Sequence, residues 1–348
     1  MRVLFVDNKL TGHHVSYMKK LSESQEITAF YFLPEEIIGL TGPQKIMKSD
    51  PNSLKGYLKW IREVAEVAAE YKVDLVHFLY ADALYKGFGI GLHNLKKYTV
   101  VATFHQVRRS FLRDLSRKMI FKQISCGVVH TDKLQSLHLQ DGIRNVTKIE
   151  YPKFNALIEI SKMRAREYFS IPQDINMFLA LGGTRFDKGL DLMLEAFSNI
   201  KLPFHLLIAG KEETFTKTFI EEKISAYRDK VSVVLKFLSE EEMNLALSAC
   251  DVVVLPYRKI FDGASGPLAD GVWNRKIILG SNHGSLGDII ESNQLGLTFI
   301  SEDTEDLRNK IISILQDKIN WNDKSENYRM SLDPDNFLKS YEEVYFSK

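Results

Sequence analysis

The segment Ala180-Leu-Gly-Gly-Thr-Arg-Phe-Asp-Lys-Gly-Leu-Asp191 decides the fold. The apolar run at 177–181 reads as a buried strand, Gly182-Gly183 as a turn, and the residues after Lys188 and Gly189 as the start of an amphipathic helix. A strand that feeds a helix through a glycine turn is the repeating unit of a parallel sheet. The same residues suit a diphosphate. Gly182 and Gly183 let the backbone approach an anion, Arg185 offers two parallel hydrogen bonds to phosphate oxygens, and Lys188 adds a charge near a helix start. The spacing is neither that of a P-loop nor that of a dinucleotide fingerprint. A solvated arginine and lysine on an ordinary turn is the competing reading.

Outward from this segment the unit repeats. Runs rich in Val, Ile, Leu and Phe predict strands at 2–7, 26–32, 75–79, 99–104 and 127–130, with helices at 54–71 and 132–139 between them. A second series follows at 177–181, 205–209, 231–236, 252–255, 276–280 and 297–300. The fold class is α/β, with two doubly wound Rossmann-like domains facing a central cleft. The boundaries are 1–152 for an N-terminal domain and 153–332 for a C-terminal domain, separated at Tyr151-Pro152-Lys153 and opened by a helix at 161–169. The tail, 333–348, spaces Phe337, Tyr341, Val344 and Tyr345 as a helix that packs back on the first domain.

Composition excludes several classes. The 46 basic and 45 acidic side chains nearly cancel, which argues against nucleic acid. Cys126 and Cys250 sit in apolar stretches far apart and read as core thiols of a reducing compartment. No run approaches the roughly 18 apolar residues of a membrane span, so a cytoplasmic protein is expected. No histidine, cysteine and carboxylate cluster has metal-ligand spacing, and no metal is expected.

A second segment carries chemistry. The strand Asp251-Val-Val-Val-Leu-Pro-Tyr257 is followed by a loop holding Asp262, Ser265, Gly266 and, into the next helix, Asp270. Paired carboxylates there can meet sugar and ribose hydroxyls, and the Ser265-Gly266 backbone can meet phosphate at a helix N-terminus. Taken singly, Asp262 reads as a turn residue and Asp270 as an exposed helix charge.

Together the two segments resemble the nucleotide-sugar domain of the retaining GT-B glycosyltransferases of the large family-4 type. Arg185, Lys188 and Gly189 match that family's phosphate-binding cations and helix start, and Asp262 and Asp270 fill the places of its paired glutamates, one methylene shorter. The segment from Arg275 to Ile290 is similar to a further glycine turn of the family. The resemblance implies a glycosyltransferase that moves a sugar, with retention, from a nucleotide diphosphate donor to a glycan, lipid-linked or protein acceptor. It implies a UDP-sugar donor, no metal, and a base near Gly210, Lys211, Phe237 and Leu238, with Gly183 beside the phosphates. In the first domain, Gly12 stands at the family's glycine loop and His105, at a strand end, at its donor-contacting histidine. His13, His14 and His77 rank below His105. Leaving-group stabilisation by Arg185 and Lys188 is the implied mechanism. A nucleotide-sugar epimerase of the same fold and an inactive sugar-nucleotide binder are the alternatives.

One further segment bears on partners. Read as a helix, 107–122 places Val107, Phe111, Leu115 and Met119 on one face and Arg109, Arg113 and Arg117 on another, with six basic residues against a single acidic one, Asp114. Such a helix suits an anionic membrane surface at the inner face of a membrane. The plainer expectation is that its apolar face packs on the sheet and its cations are solvated.

Overall fold

The computed structural model describes residues 1–10, 14–105, 110–154, 160–261, 264–317 and 319–347. The chain forms two compact units, Met1–Phe154 with Pro334–Lys348, and Asn155–Asp333.

In the first unit seven strands form one parallel sheet: β1 (Arg2–Val6), β2 (Thr28–Leu33), β3 (Gln44–Ile46), β4 (Leu75–Phe78), β5 (Thr99–Thr103), β6 (Cys126–Val129) and β7 (Val146–Lys148). Their order is β3-β2-β1-β4-β5-β6-β7, so the winding direction reverses between β1 and β4. The edges β3 and β7 are absent from the sequence expectation because Gln44-Lys-Ile and Val146-Thr-Lys contain no apolar run. One face of the sheet is covered by the helix Leu54–Glu70, which buries Tyr57, Trp60, Ile61, Val64, Val67 and Ala68 at helical spacing. Ser53 starts it, its hydroxyl accepting from the Gly56 N–H.

The other face is closed by two helices, His14–Ser22 and Pro334–Phe346. Phe337, Tyr341, Val344 and Tyr345 are the buried residues of the latter. Its hydroxyls reach the strands: Tyr341 bonds Thr103 Oγ1 at 2.9 Å and also the Tyr17 hydroxyl, and Tyr345 bonds His77 Nδ1 at 2.7 Å. At the rim Lys20 pairs with Asp335 at 2.7 Å.

The helix Phe111–Phe121 corrects the expected faces. Its buried residues are Ser116, Arg117, Ile120 and Phe121, while Phe111, Leu112, Leu115 and Met119 are exposed, Phe111 by 83%. Arg117 is 1% exposed. It is drawn inward by two carboxylates, donating to Asp114 at 3.1 Å and to Asp141. Val107 and Arg109 lie outside the described residues. Among the described residues no helix is long and apolar enough to cross a membrane.

The second unit holds six parallel strands: β8 (Asn176–Leu181), β9 (Phe204–Gly210), β10 (Val231–Leu235), β11 (Val252–Leu255), β12 (Ile277–Ser281) and β13 (Gly296–Phe299). Their order is β10-β9-β8-β11-β12-β13, with the reversal between β8 and β11. All seven residues of β9 are buried, as a strand covered by helices on both faces requires. Cys250 is buried before β11, and Cys126 is half-buried at the start of β6.

The dependence of the first unit on its C-terminal helix is testable. Tyr341→Ala removes a fully buried ring and its hydrogen bonds, and should lower unfolding stability by ~3–5 kcal/mol. Denaturant unfolding followed by near-ultraviolet circular dichroism measures this; an unchanged midpoint would contradict the packing described.

Candidate functional site

In open parallel sheets the carboxyl ends of the two strands flanking a reversal diverge and leave a crevice for ligand. In the second unit those strands are β8 and β11, and the segments singled out from the sequence are the ones that follow them.

Glycines set the geometry after β8. A Cβ on Gly210, at the end of β9, would lie 2.1 Å from the Gly182 carbonyl oxygen, and one on Gly189 would lie 2.0 Å from the Pro256 carbonyl oxygen. Both contacts are with backbone, which cannot step aside. The ends of β8, β9 and β11 are therefore closer than side chains permit. Gly189 is also left-handed, with φ 64°, between the short turn Phe186–Lys188 and the helix Leu190–Ser198. The turn is further held from within: the Thr184 hydroxyl donates to the Phe215 carbonyl at 2.8 Å and accepts from the Glu213 N–H at 2.8 Å.

Arg258, just after β11, fixes the same turn from the other side. Its backbone N–H donates to the Asp187 carbonyl at 2.9 Å, its Nε to the Phe186 carbonyl at 3.0 Å, and its guanidinium pairs with Asp191 over the Phe186 ring. Sequence reading did not single it out, since its partners lie about seventy positions away and leave no local signal.

The two expected phosphate cations differ in state. Arg185 is half-exposed and spends its fork on Asp187, with Nε and Nη2 at 2.9 and 2.7 Å from the two carboxylate oxygens. Lys188 instead folds over Gly182, where a Cβ would come within 2.5 Å of its Nζ. It lines a small niche with Gly183, Thr184, Pro256 and Tyr257. No carboxylate pairs with it among the described residues. Burial pushes its ammonium down to about 8, and the Arg185 charge adds to the shift, while Asp187 and Glu213 oppose it.

The remaining expected residues divide. Ser265 caps the helix Gly266–Trp273, accepting from the Leu268 N–H at 3.2 Å and meeting the Tyr257 hydroxyl at 3.1 Å. Asp270 is 5% exposed, so the reading of an exposed helix charge is wrong: its helix is apolar around it, with Leu268, Ala269 and Val272 all buried. Phe237 is 86% exposed, and Leu238 lines a groove beside β10 with Tyr168, Phe169, Lys236 and Glu242. Asp262 and Gly12 lie outside the described residues. Among the described residues no group of three His, Cys, Asp or Glu is placed to hold a metal ion.

In the first unit His105 follows β5 beside the β1 and β4 ends. Its Nε2 meets the Leu79 carbonyl at 2.8 Å and its backbone N–H donates to Asp82 at 3.1 Å. Burial holds it well below the usual histidine range, with His130 adding to the effect. His77 and His130 are buried and bonded at both ring nitrogens, and burial pushes them to about 3 and about 4. His14 differs: its Nδ1 is 2.7 Å from the buried Asp7 carboxylate.

Residues 161–330 match the family described as Glycosyl transferases group 1. That segment contains β8 to β13 and every described candidate of the second unit. An uncharacterized glycosyltransferase of Methanocaldococcus jannaschii is 21% identical over 277 residues, 75% of this chain and 74% of the relative. Sucrose-phosphate synthase from Thermosynechococcus elongatus superposes with a TM-score of 0.78 at 16% identity, covering 99% of this chain and 98% of that one. HepE of Anabaena in complex with UDP-glucose does so with a TM-score of 0.76 at 15% identity, covering 99% of each. The fold is thus GT-B, two parallel α/β sheets with surrounding helices.

If the turn holds a diphosphate, its charge draws Lys188 back to the ammonium form. With a starting value of about 8, binding at pH 8 should take up ~0.5 proton. Calorimetry of UDP binding in buffers of different ionisation enthalpy reads that uptake, and Lys188→Met should abolish it. A binding heat independent of buffer in the unaltered protein would exclude the assignment.

Proposed function

We propose that this protein is a glycosyltransferase that moves a sugar from a nucleoside diphosphate donor, a UDP-sugar in the first instance, to a glycan, lipid-linked or protein acceptor with retention of configuration. The observation that carries this reading is Lys188 folded over the glycine turn at the β8/β11 reversal, with no carboxylate paired to it among the described residues and Arg185 on the same turn. The match of residues 161–330 to group 1 glycosyl transferases supports it, as does the GT-B fold.

The chemistry follows from charge. As the glycosidic bond breaks, negative charge builds on the diphosphate, and a cation that is already desolvated stabilises that charge more than one in water. Lys188 supplies such a cation. Arg185 adds a bidentate contact, and must exchange its Asp187 partner for phosphate oxygens to do so. Ser265 and Gly266 take the phosphate at their helix start, Asp270 the ribose, Asp262 the sugar, and Gly210, Phe237 and Leu238 the base. His105, neutral and fixed through Nε2, contacts the sugar without competing for the diphosphate.

Incubation with radiolabelled UDP-, GDP- and ADP-sugars and cell extract tests the reading. Transfer of label to a larger product is expected; conversion to another nucleotide sugar would indicate an epimerase, and binding alone an inactive binder. Asp262→Asn should then reduce transfer far more than it reduces binding of the bare nucleotide. Equal losses would leave Asp262 no part in handling the sugar.

The helix Phe111–Phe121 suggests where the acceptor is met. Its exposed Phe111, Leu112, Leu115 and Met119 stand beside exposed Arg113, Lys118 and Lys122, apolar groups and cations together, as an anionic lipid surface requires. Each cation contributes on the order of 1 kcal/mol near such a surface. Cosedimentation with anionic but not neutral vesicles is expected, weakened by salt and by Arg113→Glu with Lys118→Glu. Failure to sediment with either vesicle would remove the membrane from the proposal.

A further inference from the structure

Gly183 belongs to the turn proposed to take the diphosphate, and a carboxylate of this chain already lies against it. A Cβ on Gly183 would come within 2.5 Å of Glu213 Oε2 and 3.4 Å of Oε1. Gly182, one residue earlier, carries Lys188 Nζ in the same way. An anion and a cation of the protein thus stand on adjacent glycines. Among the described residues the Glu213 carboxylate takes part in no hydrogen bond or ion pair.

The backbone imposes this position. The segment after β9 is tied to the turn after β8: the Thr184 N–H donates to the Lys211 carbonyl at 3.0 Å, the Glu213 N–H to Thr184 Oγ1 at 2.8 Å, and the Phe186 N–H to Thr214 Oγ1 at 3.2 Å. Glu213 therefore leaves the main chain beside the glycines. Its neighbour Glu212 is engaged elsewhere, accepting from the Lys217 N–H at 3.0 Å. Glu213 is exposed, so packing does not hold its side chain in place. Its charge reaches both cations of the turn. Burial and Arg185 lower the Lys188 ammonium, and Asp187 and Glu213 pull it back up; at Arg185 the Glu213 charge adds to the rise that the Asp187 hydrogen bonds cause.

We propose that Glu213 is an internal competitor of the diphosphate: its carboxylate lies on Gly183 in the free protein and withdraws when a nucleoside diphosphate arrives, which weakens binding and favours release of the product. The inference rests on the glycosyltransferase reading. A carboxylate tethered beside the turn competes at an effective concentration that the tether sets. The diphosphate carries more charge and reaches both Lys188 and Arg185, so it displaces the carboxylate, but it then binds with a like charge close by. A lysine desolvated in advance holds the leaving diphosphate as firmly as the arriving donor. Glu213 offsets this by giving the turn an anion of its own once the product departs.

The test reads binding to the whole chain, by calorimetry, of whichever of UDP, GDP and ADP the unaltered protein holds best. Glu213→Gln, equal in size but uncharged, should tighten that nucleoside diphosphate by ~3-fold to 30-fold at low salt, the range expected when a like charge near a protein surface is removed. At high salt the gain should shrink, because exposed charges are screened. Inorganic pyrophosphate should gain by a similar factor, while the bare nucleoside should bind both proteins alike. Glu213→Asp, which keeps the charge but draws it back by one methylene, should tighten the nucleoside diphosphate by less. A merely structural role would not tighten binding in this salt-dependent way. Unchanged or weaker binding of the nucleoside diphosphate in Glu213→Gln overturns the proposal, as does an equal gain for the bare nucleoside, which would put the carboxylate on the nucleoside instead. Those outcomes leave the glycosyltransferase reading standing. If neither protein binds UDP, GDP, ADP or pyrophosphate, that reading has failed and the competition with it.

Discussion

The second unit depends on a close approach of backbone at three strand ends. Gly210 against the Gly182 carbonyl, and Gly189 against that of Pro256, leave no room for a Cβ. With the strand ends this close, the turn after β8 is held between β9 and the loop after β11. Arg258 then ties its carbonyls from one side and Thr184 from the other. A lysine on a loose turn would extend into water and keep its full hydration. Lys188 is carried back over Gly182 instead, and loses part of that hydration before any ligand arrives. The desolvation cost of a strong anion contact is thus met in folding, which is what preorganisation means at a charged site.

The fold class was legible because hydrophobic period separates strands from helices without knowledge of partners. Where a strand is three residues long, as in β3 and β7, it has no period to read, and hydrogen bonding to a longer neighbour alone makes it a strand. The glycines of the site could also be read locally, although what each one approaches could not. Cations show the limit most clearly. Arg117 and Arg258 look in sequence like solvated surface charges, yet both are buried, because Asp141 and Asp191 meet them from remote positions. Asp270 is the converse. A single carboxylate in a short helix reads as exposed until its apolar neighbours are seen to be packed.

The helix Phe111–Phe121 shows why an amphipathic pattern does not name its buried face. Helical period sorts residues into faces, and burial of the apolar face is then assumed because burial is usually favourable. Here the buried ion pair of Arg117 with Asp141 and Asp114 fixes the rotation instead. An arginine buried without those partners would cost more than several exposed apolar side chains, since a desolvated charge is the more expensive error. Phe111, Leu112 and Leu115 are therefore left outward by a constraint that has nothing to do with their own preference.

The two sheets share one construction and differ in what stands at the reversal. In the second unit the crevice residues are glycines and cations, which suit an anion through close backbone and charge. In the first they are aromatic rings and imidazoles, and burial keeps His77, His105 and His130 neutral. A protonated histidine in each of those places would attract phosphate and other anions. Neutral rings still offer hydrogen bonds and apolar faces, and they carry no charge to hold an anion.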